Sequence, residues 1–232
     1  MKRANVIVRG LVGAWLAGAG LTIPAHGELV LSDLVVELQP GKISRKDIEL
    51  WNNSDERTYV EVAPAEIVYP GQASETRVQE LNPERLGLLV SPNRLILEPG
   101  QHKVIRIAAI TQPANNERIY RVTVKPVVGD ISGDQSGLKV LVGYDVLTIV
   151  RPIIPVPVIN ASREGRNLHV RNDGNSSAEL LNGKQCRLGG KDCANLPGKR
   201  LYAGANWRVP LEGDGPIEYS VKIGDRVSTV RF

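Results

Sequence analysis

Aromatic residues are scarce: they make up 4% of the chain, with a single Phe. Any core must therefore be built from Val, Ile and Leu. Few rings are left over for exposed platforms on sugars or bases. Histidine is rarer still, at three residues. Of these, His102 and His169 lie beyond the N-terminal segment, and neither stands at ligand spacing from a cysteine, so no metal site is expected. No G-x-S-x-G, no H-E-x-x-H and no phosphate-cradling loop occurs. Neither histidine has a carboxylate and a nucleophile arranged about it, so no catalytic residue and no cofactor is implied. No charge of one sign dominates, with 29 Lys and Arg against 25 Asp and Glu. Lys2, Arg3 and Arg9 account for much of the excess. Without a basic stripe interleaved with aromatics, nucleic acid is not the expected partner.

Long apolar runs are also missing, except at the start. Lys2, Arg3 and Arg9 form a basic region, Leu11 to Leu21 an apolar one, and Ala25-His26-Gly27 offers small residues for signal peptidase. Residues 1–27 thus read as a cleaved secretory signal, with cleavage before Glu28. The run is too short for a membrane span, which needs about 20 apolar residues, so no stable membrane insertion is expected. About 200 residues remain, enough for two modest domains. In an exported chain, Cys186 and Cys193 read as a disulfide contributing about 2–3 kcal/mol.

What is present is alternation. Ile48 to Trp51 leads into the turn Asn52-Asn53-Ser54-Asp55, and Thr58 to Val62 follows. Leu95-Ile96-Leu97 runs through Glu98-Pro99-Gly100-Gln101 into Val104 to Ile107, and Ile119 to Val124 is another β-rich run. Short strands punctuated by Pro, Gly, Asn and Asp are the pattern of a β-sandwich. The longest strand signal is Leu138 to Val150. It ends in Arg151-Pro152-Ile153-Ile154-Pro155-Val156-Pro157, whose prolines lack the donors a central strand needs. Residues 152–157 are therefore a stiff linker between residues 28–151 and residues 158–232, sandwiches of about 125 and about 75 residues. In the second, Asn167 to Asn172, Tyr219 to Ile223 and Val227 to Phe232 read as strands. Asp173-Gly174-Asn175 reads as a turn, and Gly224-Asp225 as a hairpin turn.

Three blocks in order carry a resemblance. Val90-Ser91-Pro92 with Leu95-Ile96-Leu97-Glu98-Pro99-Gly100-Gln101 and Arg106 is the first. Glu117-Arg118-Ile119-Tyr120-Arg121-Val122 is the second. Leu138-x-Val140-x-Val142, ending in Arg151-Pro152, is the third. Together, behind a signal peptide, they resemble the periplasmic pilus-assembly chaperones. Tyr120-Arg121-Val122 and the paired cysteines resemble the branch serving colonisation-factor and common-pilus fimbriae. The resemblance implies an all-β fold of two immunoglobulin-like sandwiches in a boomerang. It implies a periplasmic protein that lends its seventh strand to pilin subunits and passes them to an outer-membrane usher, a mode of strand addition.

On this reading Leu138, Val140 and Val142 are the donor residues. They share one parity, and Leu141, Leu147 and Ile149 the other. One face is expected to pack in the home domain and the other to meet the client. A free apolar edge is an aggregation hazard, and self-capping in a homodimer is one remedy. The family's two basic cleft residues align with Val36 and Leu147, so those anchoring roles are not carried over. Arg121 is the better replacement, because a charge inside a β-run needs a reason, and Lys46 is the second. The resemblance also implies an interdomain ionic network of Glu117, Arg151 and Asp225, in which a guanidinium clamps two carboxylates. A secreted adhesive or structural module would share the sandwich and the leader, and is the alternative function. A pilin subunit would be one domain without the proline-rich linker.

Overall fold

The computed structural model describes residues 29–39, 41, 43–111, 114–127, 141–187 and 192–232. Residues 1–27, read as a signal, and Leu138 and Val140 lie outside the described residues. Strands up to Val150 are β1 (Leu29–Leu31), β2 (Val35–Leu38), β3 (Arg45–Asn52), β4 (Thr58–Val68), β5 (Thr76–Val78), β6 (Leu88–Ser91), β7 (Arg94–Leu97), β8 (His102–Ala109), β9 (Arg118–Val127) and β10 (Tyr144–Val150). One sheet runs β1-β3-β8-β6. The facing sheet runs β2-β10-β9-β4-β5, with β7 also on β4. Buried Val, Ile and Leu from both sheets, with Tyr120, fill the space between. A short helix, α1 (Pro83–Leu86), starts on the Asn82 cap and ends at Gly87.

After the prolines come β11 (Ile159–Glu164), β12 (Asn167–Asn172), β13 (Ala178–Cys186), β14 (Cys193–Leu196), β15 (Lys199–Leu201), β16 (Asn206–Pro210), β17 (Ile217–Ile223) and β18 (Arg226–Arg231). A β11-β12-β16 sheet faces a β14-β13-β17-β18 sheet, with β15 on β13. Their core centres on Leu168, Val170, Leu180, Val209 and Tyr219. No strand of one sandwich pairs with a strand of the other among the described residues. The fold is thus two β-sandwiches, as the alternation predicts. Cys186 and Cys193 are bonded and lie opposite each other on β13 and β14.

Both sandwiches turn their corner with the same device. Asn52 ends β3 and is fully buried. Its amide nitrogen donates to the carbonyls of Glu56, Leu97 and Glu98, and its oxygen accepts from the Ser54 amide and hydroxyl. Asn172 ends β12 and is equally buried. It donates to the Ser176 and Leu201 carbonyls and accepts from the Val158 and Gly174 amides. A buried side chain with both donors and acceptors can satisfy the backbone of a sharp turn that no ladder reaches.

One boundary differs from the sequence expectation. Among the described residues of the long apolar run the ladder begins at Tyr144, and residues 141–143 are outside any strand. Gly143 packs against Lys125 and the Val124 carbonyl.

Candidate functional site

Strand β10 is flanked unequally. Antiparallel β9 pairs with it from Tyr144 to Val150. Parallel β2 covers the other edge only from Leu147 to Val150. The Leu147 amide donates to the Leu34 carbonyl, and the Arg151 amide to the Leu38 carbonyl. Odd-numbered amides therefore point to the β2 side, and the period of two sets the Asp145 N–H and C=O on the same edge. Among the described residues no strand covers that edge upstream of Leu147.

The two faces of β10 have distinct jobs. Val146 and Val150 are buried in the first core, and Tyr144 packs against it. Leu147 and Ile149 face outward with Ile67 and Ile119, covered by Tyr202 of the second sandwich. Leu138, Val140 and Val142 have the parity of the core face. The sequence expectation gives one face to the home core and the other to the client; in the described part of β10 the even-numbered face serves the home core. Val142, just before the strand, is 65% exposed.

Arg121 lies opposite Leu147 on β9. Its guanidinium crosses β10 and donates to the Asp145 carbonyl at 3.2 Å, on the open edge. Its Nε lies 4.0 Å from the Asp145 carboxylate. Arg77 holds that carboxylate with two bonds, of 3.1 and 2.9 Å, and the Thr123 hydroxyl donates to it at 2.9 Å. Burial works against the Asp145 charge, but the Arg77 and Thr123 hydrogen bonds outweigh it and hold its carboxyl below the usual range. Two guanidiniums thus attend one carboxylate beside the open edge. Lys46 pairs with Asp33 at 3.6 Å in the neighbouring cleft.

That cleft, of about 670 Å³, lies between the sandwiches and is lined by Val35, Ile43, Arg151, Arg200 and Asp225, among others. The expectation for Val36 is corrected here. Val36 points into the first core at 1% exposure, and Val35 is the β2 residue that faces the cleft. Both are apolar, so a cation is missing from this position in either register.

Arg151 is the centre of the junction, at 6% side-chain exposure. It donates to Glu117 at 3.0 Å, and to the Ser177 carbonyl and hydroxyl at 3.0 and 3.1 Å. It also donates twice to Glu37, at 2.9 and 3.2 Å. Arg200 pairs with Glu179 and lies 3.8 Å from Glu37. Asp225 makes no ion pair among the described residues; Glu37 is the second carboxylate on Arg151. The reason is reach, since Asp225 sits in the tight β17–β18 turn while Glu37 lies in the strand beside β10. Glu37 had a local signal, as a charge inside Val35-Val36-Glu37-Leu38, whereas nothing near Arg200 marks it.

The linker is lashed down beside this cluster. The Asn175 side chain donates to the Asn115 and Ile154 carbonyls and accepts from the Val156 amide. The Glu117 amide donates to the Asn175 carbonyl at 2.9 Å. Gly174 lies so close that a Cβ there would sit 2.2 Å from the Val156 carbonyl oxygen. Only glycine permits that approach.

A chain of two such sandwiches has known counterparts. The crystal structure of the class 5 fimbriae chaperone CfaA superposes with a TM-score of 0.69 at 21% identity, over 88% of this chain and 97% of that one. The fold is that of the fimbrial chaperones. The same fold occurs in the Salmonella enterica complex of the SafA pilin with the SafB chaperone, with a TM-score of 0.62 at 18% identity, over 90% of this chain and 98% of that one. In sequence, a CFA/I fimbrial subunit from Escherichia coli is 30% identical over 138 residues, which are 56% of this chain. The chain spans 58% of the length of that relative. No protein-family model matches the chain.

Proposed function

We propose that this protein is a periplasmic chaperone that holds pilin subunits by strand donation and delivers them to an outer-membrane usher. The observation that carries the reading is the half-covered β10, whose core face continues beyond the sandwich at the exposed Val142. A client sandwich lacking one strand can pair along that edge at Asp145. Each aliphatic side chain buried in the client is worth about 1.5–3 kcal/mol, and each ladder hydrogen bond about 1 kcal/mol net. Leu138, Val140 and Val142 are the donor residues on this reading. Arg121 and Arg77, with one carboxylate between them, are placed to receive a client carboxylate at the end of the paired strand. The likeness to solved chaperones, one of them with a pilin, supports the same reading. Residues 1–27 would direct export, and the 152–157 linker would set the angle of the two sandwiches about the cleft.

The test is native mass spectrometry of the tagged protein from its own host's periplasm, with the usher disabled. The reading expects a one-to-one complex with a small secreted pilin, lost in Val142→Asp, because that substitution buries a charge in the client and touches nothing at home. Protein found only with itself, at normal pilin expression, would instead favour the adhesive or structural module. A homodimer that dissolves on adding pilin would fit self-capping of the open edge.

A further inference from the structure

The junction is unbalanced in charge. Two guanidiniums, Arg151 and Arg200, face three carboxylates, Glu37, Glu117 and Glu179. Lys222 and Asp225 line the same cleft as exposed groups of opposite sign, and Lys46 is taken by Asp33, so none of them alters the sum. Glu117 is the deepest carboxylate, at 2% side-chain exposure. One of its oxygens, Oε2, accepts from Arg151 and from the Ser177 hydroxyl. The other, Oε1, is buried and has no hydrogen-bond partner among the described residues. A buried carboxylate oxygen without a donor is the place where a proton is least costly to add. Arg151, just after β10, and Ser177, just before β13, hold its other oxygen, and Arg200 of β15 and Tyr202 in the turn after it interact with its charge. Glu37 of β2 and Glu179 of β13 share the two guanidiniums.

We propose that Glu117 is a proton-binding site at the interdomain junction, so that docking of the two sandwiches takes up one proton and tightens as the medium turns mildly acidic. Glu117 next to separated sandwiches is solvated and ionises in the ordinary carboxylate range. In the docked junction, burial pushes its carboxyl up, and the Ser177 and Arg151 interactions do not fully offset that. The sign follows from linkage: a carboxyl whose proton is held more tightly in the docked state favours docking below its docked pKa and opposes it above. One proton can change the docking equilibrium by at most about tenfold per pH unit. The inference concerns the isolated chain and does not rest on the chaperone reading.

The experiment uses the full mature chain with ¹³C-labelled glutamate. The Glu117 carboxyl resonance, assigned by its loss in Glu117→Gln, is followed from about pH 4 to pH 8. It is expected to titrate above the ordinary carboxylate range. Glu117→Gln keeps the shape, replaces the charge with a neutral amide, and should raise the thermal midpoint at neutral pH. It should also flatten the pH dependence of that midpoint, while Glu49→Gln, at an exposed β3 residue with no ion pair among the described residues, leaves both unchanged. A Glu117 resonance titrating in the ordinary range or below would overturn the proposal. So would a Glu117→Gln chain that is less stable than the parent at neutral pH, or that fails to fold, because the carboxylate charge would then be an asset to the junction.

Discussion

Replacing Arg151 with Met is the sharpest perturbation of the junction. Met keeps much of the apolar stem and removes five polar contacts, two to Glu37, one to Glu117 and two to Ser177. Breaking one side of a buried ion pair costs about 3–5 kcal/mol, because the partner is left charged without compensation. Two reliefs push the result to the low end. Arg200 is 3.8 Å from Glu37 and can take it over, and Glu117 can accept a proton. The expected loss is therefore about 3 kcal/mol. For a chain of this size that corresponds to a fall in Tm of about 6–12 °C. Differential scanning calorimetry at neutral pH reads it directly. The double variant Arg151→Met with Glu117→Gln should recover about half of the loss, since one of the two orphaned charges is gone. A Tm within about 2 °C of the parent would refute the reasoning, because the buried guanidinium would then contribute nothing that solvent does not replace.

Three further outcomes are expected. Asn172→Ala strips partners from two carbonyls and two amides at a buried corner and should cost about 3 kcal/mol, read by chemical denaturation. Thr148→Val should stabilise by about 1 kcal/mol in the same assay, because the Thr148 hydroxyl is buried without a partner among the described residues. Burial pushes the Tyr219 hydroxyl up to about 12. Its contribution is fully present below the unfolded tyrosine pKa of about 10 and is lost as pH rises through the folded value. Alkaline titration followed by tyrosinate absorbance should thus show Tyr219 ionising late, together with unfolding.

The β-runs of the first sandwich were legible because they alternate and end in strong turn residues, as at Asn52-Asn53-Ser54-Asp55 and Glu98-Pro99-Gly100. Residues 152–157 lie outside any strand, as three prolines that cannot join a ladder predict. Strand β13 was not. Ala178–Cys186 reads AELLNGKQC, with no β-branched residue, and its register slips between Leu181 and Lys184, where Asn182 adopts φ 51°. A bulge shifts the period of two, so no alternation survives to be counted. At the junction, Glu117 and Arg151 are brought together, while Asp225 is not and Glu37 and Arg200 are added. Ion partners across a domain boundary are chosen by tertiary reach, which spacing along the chain does not encode. The inward turn of Val36 shows the same limit on a smaller scale, since in a four-residue strand one residue of misalignment exchanges the core face for the cleft.

The central claim is that the uncovered edge of β10 is where a client strand pairs. Amide hydrogen exchange resolved to single residues, on the protein alone and on its complex with a pilin, tests it most directly. The account predicts that the Asp145 amide exchanges fast in the free protein and becomes strongly protected in the complex, along with the odd-numbered amides of Leu141 and Gly143, while the Leu147 amide, already bonded to Leu34, changes little. An Asp145 amide equally exposed in both states, with new protection confined to the second sandwich, would contradict strand donation at this edge.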